Sequence, residues 1–250
     1  MSTREKDIII GIRPVIEAIR AGKDIDKVLI KRGLRGDLYM ELLNLLKSEG
    51  LNYQYVPVER INRISKKNNQ GIIAYISPVT FGNIEQIIPM VFEKGKTPLI
   101  LILDGITDVR NFGAIARTAE CAGADAIIIG DKGSVRISSD AIKASAGALH
   151  NIPVCKSKNM TDTLLFLRNS GLKIIAASER SEEIYYNTIL DIPVAIILGS
   201  EDRGVSSECL RSADTKIRIP VLGSIGSLNV SVAAAVILYE AIRQRNISAE

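Results

Sequence analysis

The chain has 250 residues, 46% hydrophobic and 24% charged, which excludes disorder, collagen and low complexity as global descriptions and fits one large or two modest domains. The longest apolar runs, such as 98–103 and 193–198, fall far short of the ~20 residues a spanning helix needs. No secretory core follows the charged MSTREKD start, so no membrane partner and a cytoplasmic location are expected. The formal charge of +4 is uneven: residues 1–78 carry 14 Lys+Arg against 9 Asp+Glu, whereas residues 79–250 carry 18 against 19.

From the N-terminus, 13–20 predicts a short helix and 27–30 a strand. Residues 37–49 hold Leu38, Leu42, Leu45 and Leu46 at helical spacing, and Gly50 stops them. Strands are predicted at 53–56 and 71–76. Residues 1–78 thus read as a small α/β domain, with its positive charge in two clusters: Lys31, Arg32 and Arg35, then Arg60, Arg63, Lys66 and Lys67. Phosphate backbones attract such patches by Coulomb force and counterion release, although basic loops are also common on plain solvated surfaces. Tyr53 and Tyr55 are present, but there is no Trp and aromatic residues total 4%. A reader of shape and phosphate therefore fits better than a sheet surface that stacks single-stranded bases. Residues 79–97 read as a linker with a short helix around 84–91.

From residue 98 the pattern changes. Apolar runs of strand length at 99–103, 126–130, 173–178, 194–199 and 216–220 alternate with helical segments at 114–121, 140–149, 161–169, 206–211 and 230–243. Runs that are apolar along their whole length belong to strands covered on both faces. Residues 98–250 therefore predict a parallel, doubly wound α/β sheet. The single histidine, His150, falls at a helix end in GALHNIP and reads as a capping or surface residue, which excludes chemistry that needs several imidazoles. Cys121, Cys155 and Cys209 lie far apart with no CxxC pair, so neither a disulfide framework nor a metal site is expected.

Ligands of such sheets sit where the carboxyl ends of strands meet loops and helix N-termini. Three exits are unusual: DGITDVRNFGAIARTAECAG (104–123), GSEDRGVS (199–206) and VLGSIGSLNVSVAAA (221–235). None is a GxGxxG fingerprint or a GxxxxGK[ST] phosphate loop, so neither a nicotinamide cofactor nor ATP is the first expectation. Gly223 and Gly226 let the backbone approach a ligand closely before a helix that opens with Ser227, Asn229 and Ser231. Simple N-capping by Ser227 or Asn229 explains the same residues. Arg117 lies about 1.7 helical turns beyond Asn111. It interrupts a face of small and apolar residues, where a buried guanidinium needs a partner such as a phosphate, a substrate oxygen or Glu201.

Together, NFGAIARTAECAG, ILGSEDRGVS and IPVLGSIGSLNVSVAAAVILYEAIRQR resemble, in order and spacing, the three signature motifs of the SpoU/TrmH family of RNA ribose 2′-O-methyltransferases. GIRPVIEAI and NQGIIA are similar to the substrate-binding domain of its RlmB-type subgroup, which acts on a guanosine of 23S rRNA, so the resemblance covers nearly the whole chain. It implies an RNA substrate-binding domain over 1–78, a linker over 79–97 and a SPOUT-class catalytic domain over 98–250. The parallel sheet of that domain is expected to end in a C-terminal trefoil knot. The resemblance also implies S-adenosyl-L-methionine as cofactor, ribosomal RNA as substrate, and a homodimer whose active site uses both chains. Carried over by position, Asn111, Arg117, Glu201, Ser227 and Asn229 form the catalytic group. Gly199, Ile219 and Leu228 cradle the cofactor, largely through backbone groups. Arg13 and the two basic clusters are the expected RNA contacts. Two places depart from the family pattern. Asp202 and Arg203 follow Glu201, where a glycine is common, and Val109 and Arg110 stand where a proline is common. Both concern loop shape and substrate contacts more than reaction class.

In the implied reaction a ribose 2′-hydroxyl attacks a sulfonium methyl, already a strong electrophile, so no metal is needed; positioning and proton removal remain. No histidine is placed for the second task, and the family proposal makes Arg117 the base. A guanidinium with a pKa above about 12 is normally always charged. The other role is a clamp on the substrate phosphate that also stabilises the developing alkoxide, and physical chemistry favours that role. Asn111, Ser227 and Asn229 would orient the ribose and Arg117, and Glu201 would hold a loop or pair with Arg117. The alternatives are a tRNA ribose 2′-O-methyltransferase, a non-catalytic RNA-binding assembly factor, and a nucleotide-dependent oxidoreductase. Absence of GxGxxG counts against the last.

Overall fold

The structure, a computed structural model, describes residues 8–65 and 68–247. It divides into two compact units, one up to Thr80 with the short segment Ile137–Ser139, and one formed by Phe81–Arg136 and the chain from Asp140 onward.

The first unit runs β1 (Ile8–Ile10), α1 (Ile12–Arg20), β2 (Ile25–Lys31), α2 (Asp37–Ser48), β3 (Tyr53–Val56), α3 (Val58–Ile64) and β4 (Ile72–Ile76). The sheet order is β1-β4-β2-β3; β4 runs antiparallel to β1 and β2, and β3 is parallel to β2. Strand side chains alternate between two cores. Val28, Ile30, Ile72 and Ala74 pack with Ile16 of α1 and Leu42 of α2. Leu29, Val56 and Ile73 pack with Ile61 of α3. Both faces of this sheet are covered, so neither is an open platform for stacked bases.

From Phe81 the chain continues as β5 (Phe81–Gly82), α4 (Ile84–Glu93), β6 (Leu99–Asp104), α5 (Val109–Cys121), β7 (Ala126–Gly130), α6 (Ser139–Ala144), β8 (Val154–Ser157) and α7 (Met160–Asn169). It ends with β9 (Lys173–Ala177), β10 (Val194–Gly199), α8 (Ser207–Ser212), β11 (Thr215–Ile217) and α9 (Val230–Ile247). Its seven strands pair in parallel throughout, in the order β11-β9-β10-β6-β7-β8-β5, as the sequence predicts. Ile100, Ile102, Ile128, Ile174 and Ile197 pack against Ile88 of α4, Leu164 and Leu167 of α7 and Cys209 of α8. The alternate residues Leu101, Leu103, Ile127 and Ile196 are equally buried and face the other way. There, α5 packs on α9, and α9 on β10.

Several elements differ from the expectation. The stretch read as a linker is folded into the second unit: β5 pairs with β8, and α4 buries Ile88 and Val91. Helix α5 starts at Val109 rather than near 114, because the Asp108 carboxylate accepts from the Arg110 and Asn111 amides at 2.9 and 2.8 Å. The helix expected over 140–149 breaks after α6, where Ala146 and Gly147 take positive φ of 50° and 89°. His150 ends the short 3-10 turn that follows and is exposed. The last strand stops at Ile217, so Arg218 has left the sheet ladder. Among the described residues no helix is long and apolar enough to cross a membrane.

The topology positions a site. Strands β6 and β10 are neighbours, yet α5 leads from β6 to β7 on one side while α8 leads from β10 to β11 on the other. Loops that diverge in this way leave a crevice at the carboxyl ends of the strands.

Candidate active site

Three chain segments meet at that crevice: the loop after β6 with the start of α5, the loop after β10, and the start of α9. Asn229 Nδ2 donates to Asn111 Oδ1 at 3.0 Å and to Glu201 Oε1 at 2.5 Å. Asn229 Oδ1 accepts from Ser231 N at 2.9 Å and from Ser231 Oγ at 2.5 Å. The amide orientation is fixed by its neighbours, since the oxygen must face a backbone N–H and the nitrogen two oxygens. Of the two capping candidates, Asn229 caps α9 and Ser227 does not.

The loop after β10 folds back over its own strand. A Cβ on Gly199 would lie 2.0 Å from Gly204 C and 2.1 Å from Val205 N, a separation only glycine allows. Gly204 N donates to Ser200 O at 2.8 Å, and Gly204 takes φ +66°. Asp104, at the end of β6, accepts from Ser206 N at 2.7 Å and fastens the far side of the loop. Asp202 and Arg203 occupy the exposed turn between these ties.

A cavity of about 310 Å³ opens beside this cluster, among the exits of β9, β10 and β11. Gly199, Ile219 and Leu228, the expected cofactor residues, line it together with Glu201 and Ser227. Ser227 is exposed and stands outside the hydrogen-bonded cluster. Glu179, Arg180 and Arg218 also line the cavity. The sequence reading missed them, although the strand-exit rule applied to 173–178 points straight at Glu179 and Arg180.

Of the two roles open to Glu201, holding a loop or pairing with Arg117, the contact present is with the start of α9, where Glu201 accepts from Asn229. Arg117 is exposed on α5 and has no hydrogen-bond or ion-pair partner among the described residues. A face that looks apolar in sequence need not bury every residue on it, and the guanidinium reaches solvent instead.

In the first unit the exits of β1, β2 and β3 and the start of β4 share one end of the sheet. Arg13 stands in the first turn of α1, and Lys31 ends β2 opposite Val56. Arg32 N donates to Val56 O at 3.1 Å, and α3, which carries Arg60 and Arg63, follows at once. Gln70 and Gly71 tie this end together in left-handed conformation, at φ 48° and 77°. Gln70 Oε1 accepts from Ile12 N at 3.1 Å, and Lys31 N donates to Gly71 O at 2.8 Å. Arg13, Lys31, Arg32, Arg35, Arg60 and Arg63 are all exposed. Lys66 and Lys67 lie outside the described residues. Among the described residues no group of His, Cys, Asp or Glu is arranged to hold a metal ion.

Residues 98–239 match the SpoU rRNA methylase family, and residues 8–82 match the RNA 2′-O ribose methyltransferase substrate-binding domain. A Staphylococcus saprophyticus protein placed in the TrmH family of tRNA/rRNA methyltransferases is 35% identical, with 97% of each chain covered. A solved RNA 2′-O ribose methyltransferase is similar at 29% identity and a TM-score of 0.58, over 96% of this chain and 88% of that one. The AdoMet-bound rRNA methyltransferase of Sinorhizobium meliloti, 24% identical with a TM-score of 0.61, shares the fold over 95% of this chain and 87% of its own.

Proposed function

The chain belongs to the SpoU rRNA methylase family, and from that membership we propose that it transfers the methyl group of S-adenosyl-L-methionine to a ribose 2′-hydroxyl of ribosomal RNA, at a guanosine of 23S rRNA as in the RlmB-type subgroup. The observation that carries this reading is the convergence of Asn111, Glu201 and Asn229, bonded to one another beside the cavity lined by Gly199, Ile219, Ser227 and Leu228.

The cavity suits the cofactor. Ile219, Val221 and Leu228 offer apolar surface to an adenine. The buried Arg218 Nε has no hydrogen-bond partner among the described residues, so the wall holds a donor for a ligand acceptor. The bound cofactor supplies the electrophilic methyl group. The protein's own contribution is orientation. The Asn229 cap holds the Asn111 amide, whose free N–H groups can position ribose oxygens. Arg117, charged and unpartnered, clamps the substrate phosphate and steadies the developing alkoxide.

Arg117 is exposed and has no hydrogen-bond or ion-pair partner among the described residues, which leaves it available to a site shared across a homodimer. Leu222 at 100% and Ile225 at 77% exposure, with Val232 and Tyr239 exposed on α9, supply apolar surface for self-association. The basic end of the first unit, on a sheet with both faces covered, supports reading of RNA by phosphate and shape.

The test uses labelled S-adenosyl-L-methionine with unmodified large-subunit rRNA, small-subunit rRNA and total tRNA, beside an Arg117→Ala control. Label entering only large-subunit rRNA, and lost in the control, is the expected result. Label in tRNA reassigns the substrate. Absence of both label and cofactor binding overturns the reading.

A further inference from the structure

We propose that Arg218 is the counter-charge for the carboxylate at the methionine end of the cofactor. This rests on the cofactor reading above and adds a residue outside the three motifs. Arg218 follows β11 directly, and its backbone is held on both sides: its N donates to Glu183 O at 2.8 Å, and its O accepts from Tyr185 N at 3.0 Å. The residue is thereby fixed in the wall of the cavity that Ile219 and Gly199 also line.

Its Nε is buried and unpartnered, and its guanidinium forms no ion pair among the described residues. A buried N–H without an acceptor is unfavourable in the free protein, so a ligand oxygen at this place relieves a standing cost. The other charged groups lining the cavity, Glu179, Arg180, Glu201, Asp202 and Arg203, are all exposed. Arg218 alone is half-buried, with its Nε out of reach of solvent. Hydration and salt weaken what Arg180 or Arg203 could offer an anion, and the half-buried Arg218 is spared part of that loss. Its planar fork matches a carboxylate through two parallel N–H···O bonds. An adenine nitrogen would satisfy one N–H and leave the charge unmatched. The carboxylate is the cofactor's one anionic group, so it is the partner that satisfies both hydrogen bonds and charge.

Calorimetric titration of the full chain with two ligands tests the assignment. S-adenosylhomocysteine carries the carboxylate. 5′-Methylthioadenosine has the same adenosine and thioether but lacks the amino-acid end. Arg218→Met is expected to weaken S-adenosylhomocysteine about ten- to a hundredfold and to leave methylthioadenosine within about twofold. Arg218→Lys keeps the charge without the fork and should fall between. Equal weakening of both ligands would assign Arg218 to the adenosine end or to loop shape and overturn the proposal. Unchanged binding of both would overturn it too. A wild-type chain that binds neither ligand sinks the cofactor reading instead. Arg218→Met removes an unpaired donor, so the unliganded variant should melt no lower than wild type. If that variant fails to fold, the same ligand comparison on Arg218→Lys decides.

Discussion

Asn229 donates its amide nitrogen to Asn111 at 3.0 Å while its amide oxygen caps α9. One side chain therefore couples the start of the last helix to the start of α5, against which that helix packs. Substitution separates the two roles. Asn229→Ala removes both and should cost about 1 kcal/mol of stability from the cap alone. Asn229→Asp keeps the capping oxygen but loses the donor and faces the Glu201 carboxylate. Both groups are exposed, so screening holds that repulsion below the contribution of the cap. The Asp variant should melt above the Ala variant, yet both should lose methyl transfer by about a hundredfold or more. Wild-type turnover in the Asp variant would mean the amide nitrogen has no part in the reaction.

Gly199→Ala tests the loop after β10. The backbone of Gly199 is not in the left-handed region, so the cost is one of space alone. The new Cβ would meet Gly204 C at 2.0 Å and Val205 N at 2.1 Å, and backbone cannot swing aside as a flexible side chain would. Displacing 204–205 moves Glu201 and one wall of the cavity together. Destabilisation of about 1–3 kcal/mol is expected, with loss of the rise in melting temperature that S-adenosylhomocysteine gives the wild type. A variant that still shows the full ligand-induced rise would separate the loop from the cofactor site.

The parallel sheet was legible because strands buried on both faces are apolar along their length, as LILIL at 99–103 is. Strands β1, β5 and β8 escaped notice: β1 and β5 have three and two residues, too few to show a period, and β8, VCKS, is not apolar along its length. In NFGAIARTAECAG the glycine and arginine hide the helical stripe, though Asp108 was a readable cap for an earlier start. The motifs brought Asn111, Glu201 and Asn229 forward, and the structure joins them. Which side chain meets Glu201 depends on how three distant loops converge, and no spacing along the chain encodes that. Arg218 was hidden by reading KIRIP as strand to its end. The ladder stops at Ile217, and the freed residue turns to pair with the 183–185 segment.

Gly113→Ala sets helix propensity against packing. In the middle of α5, alanine should stabilise the helix by about 1 kcal/mol. Yet the added Cβ would lie 2.4 Å from Ala144 Cβ and 2.8 Å from Ala144 C. Packing should win, giving net destabilisation of about 1–3 kcal/mol in urea unfolding. Adding Ala144→Gly removes the nearer contact and leaves the backbone one, so the double variant should recover part of the loss. A single variant more stable than wild type would refute the close approach of α5 and α6.

The thiols should separate by burial. Cys121 is exposed, while Cys155 and Cys209 are 2% and 1% exposed. Burial pushes the Cys155 thiol up to about 12 and the Cys209 thiol up to about 11. Raised values keep both protonated through pH 9, and the thiolate is the reactive form. A maleimide at pH 8 should label Cys121 alone in the native chain and all three cysteines after denaturation, read by intact mass. Native labelling of Cys155 would expose a gap in the packing of β8.

Arg117 bears on both the chemistry and the assembly. As a charged clamp it works through a planar fork, so Arg117→Lys should lose about a hundredfold in turnover with cofactor binding intact. Arg117 is exposed and unpartnered, while Asn229 is locked into the cluster of its own chain. If the two residues act across a homodimer, mixing inactive Arg117→Ala and Asn229→Ala chains rebuilds one complete site in each mixed dimer. Random pairing makes half the dimers mixed, each with one good site of two, so activity should return to about a quarter of wild type. Co-refolding the two variants and assaying against each alone reads this directly. No recovery, in a sample shown by sedimentation to contain dimers, would place Arg117 and Asn229 in the site of a single chain and end the shared-site reading.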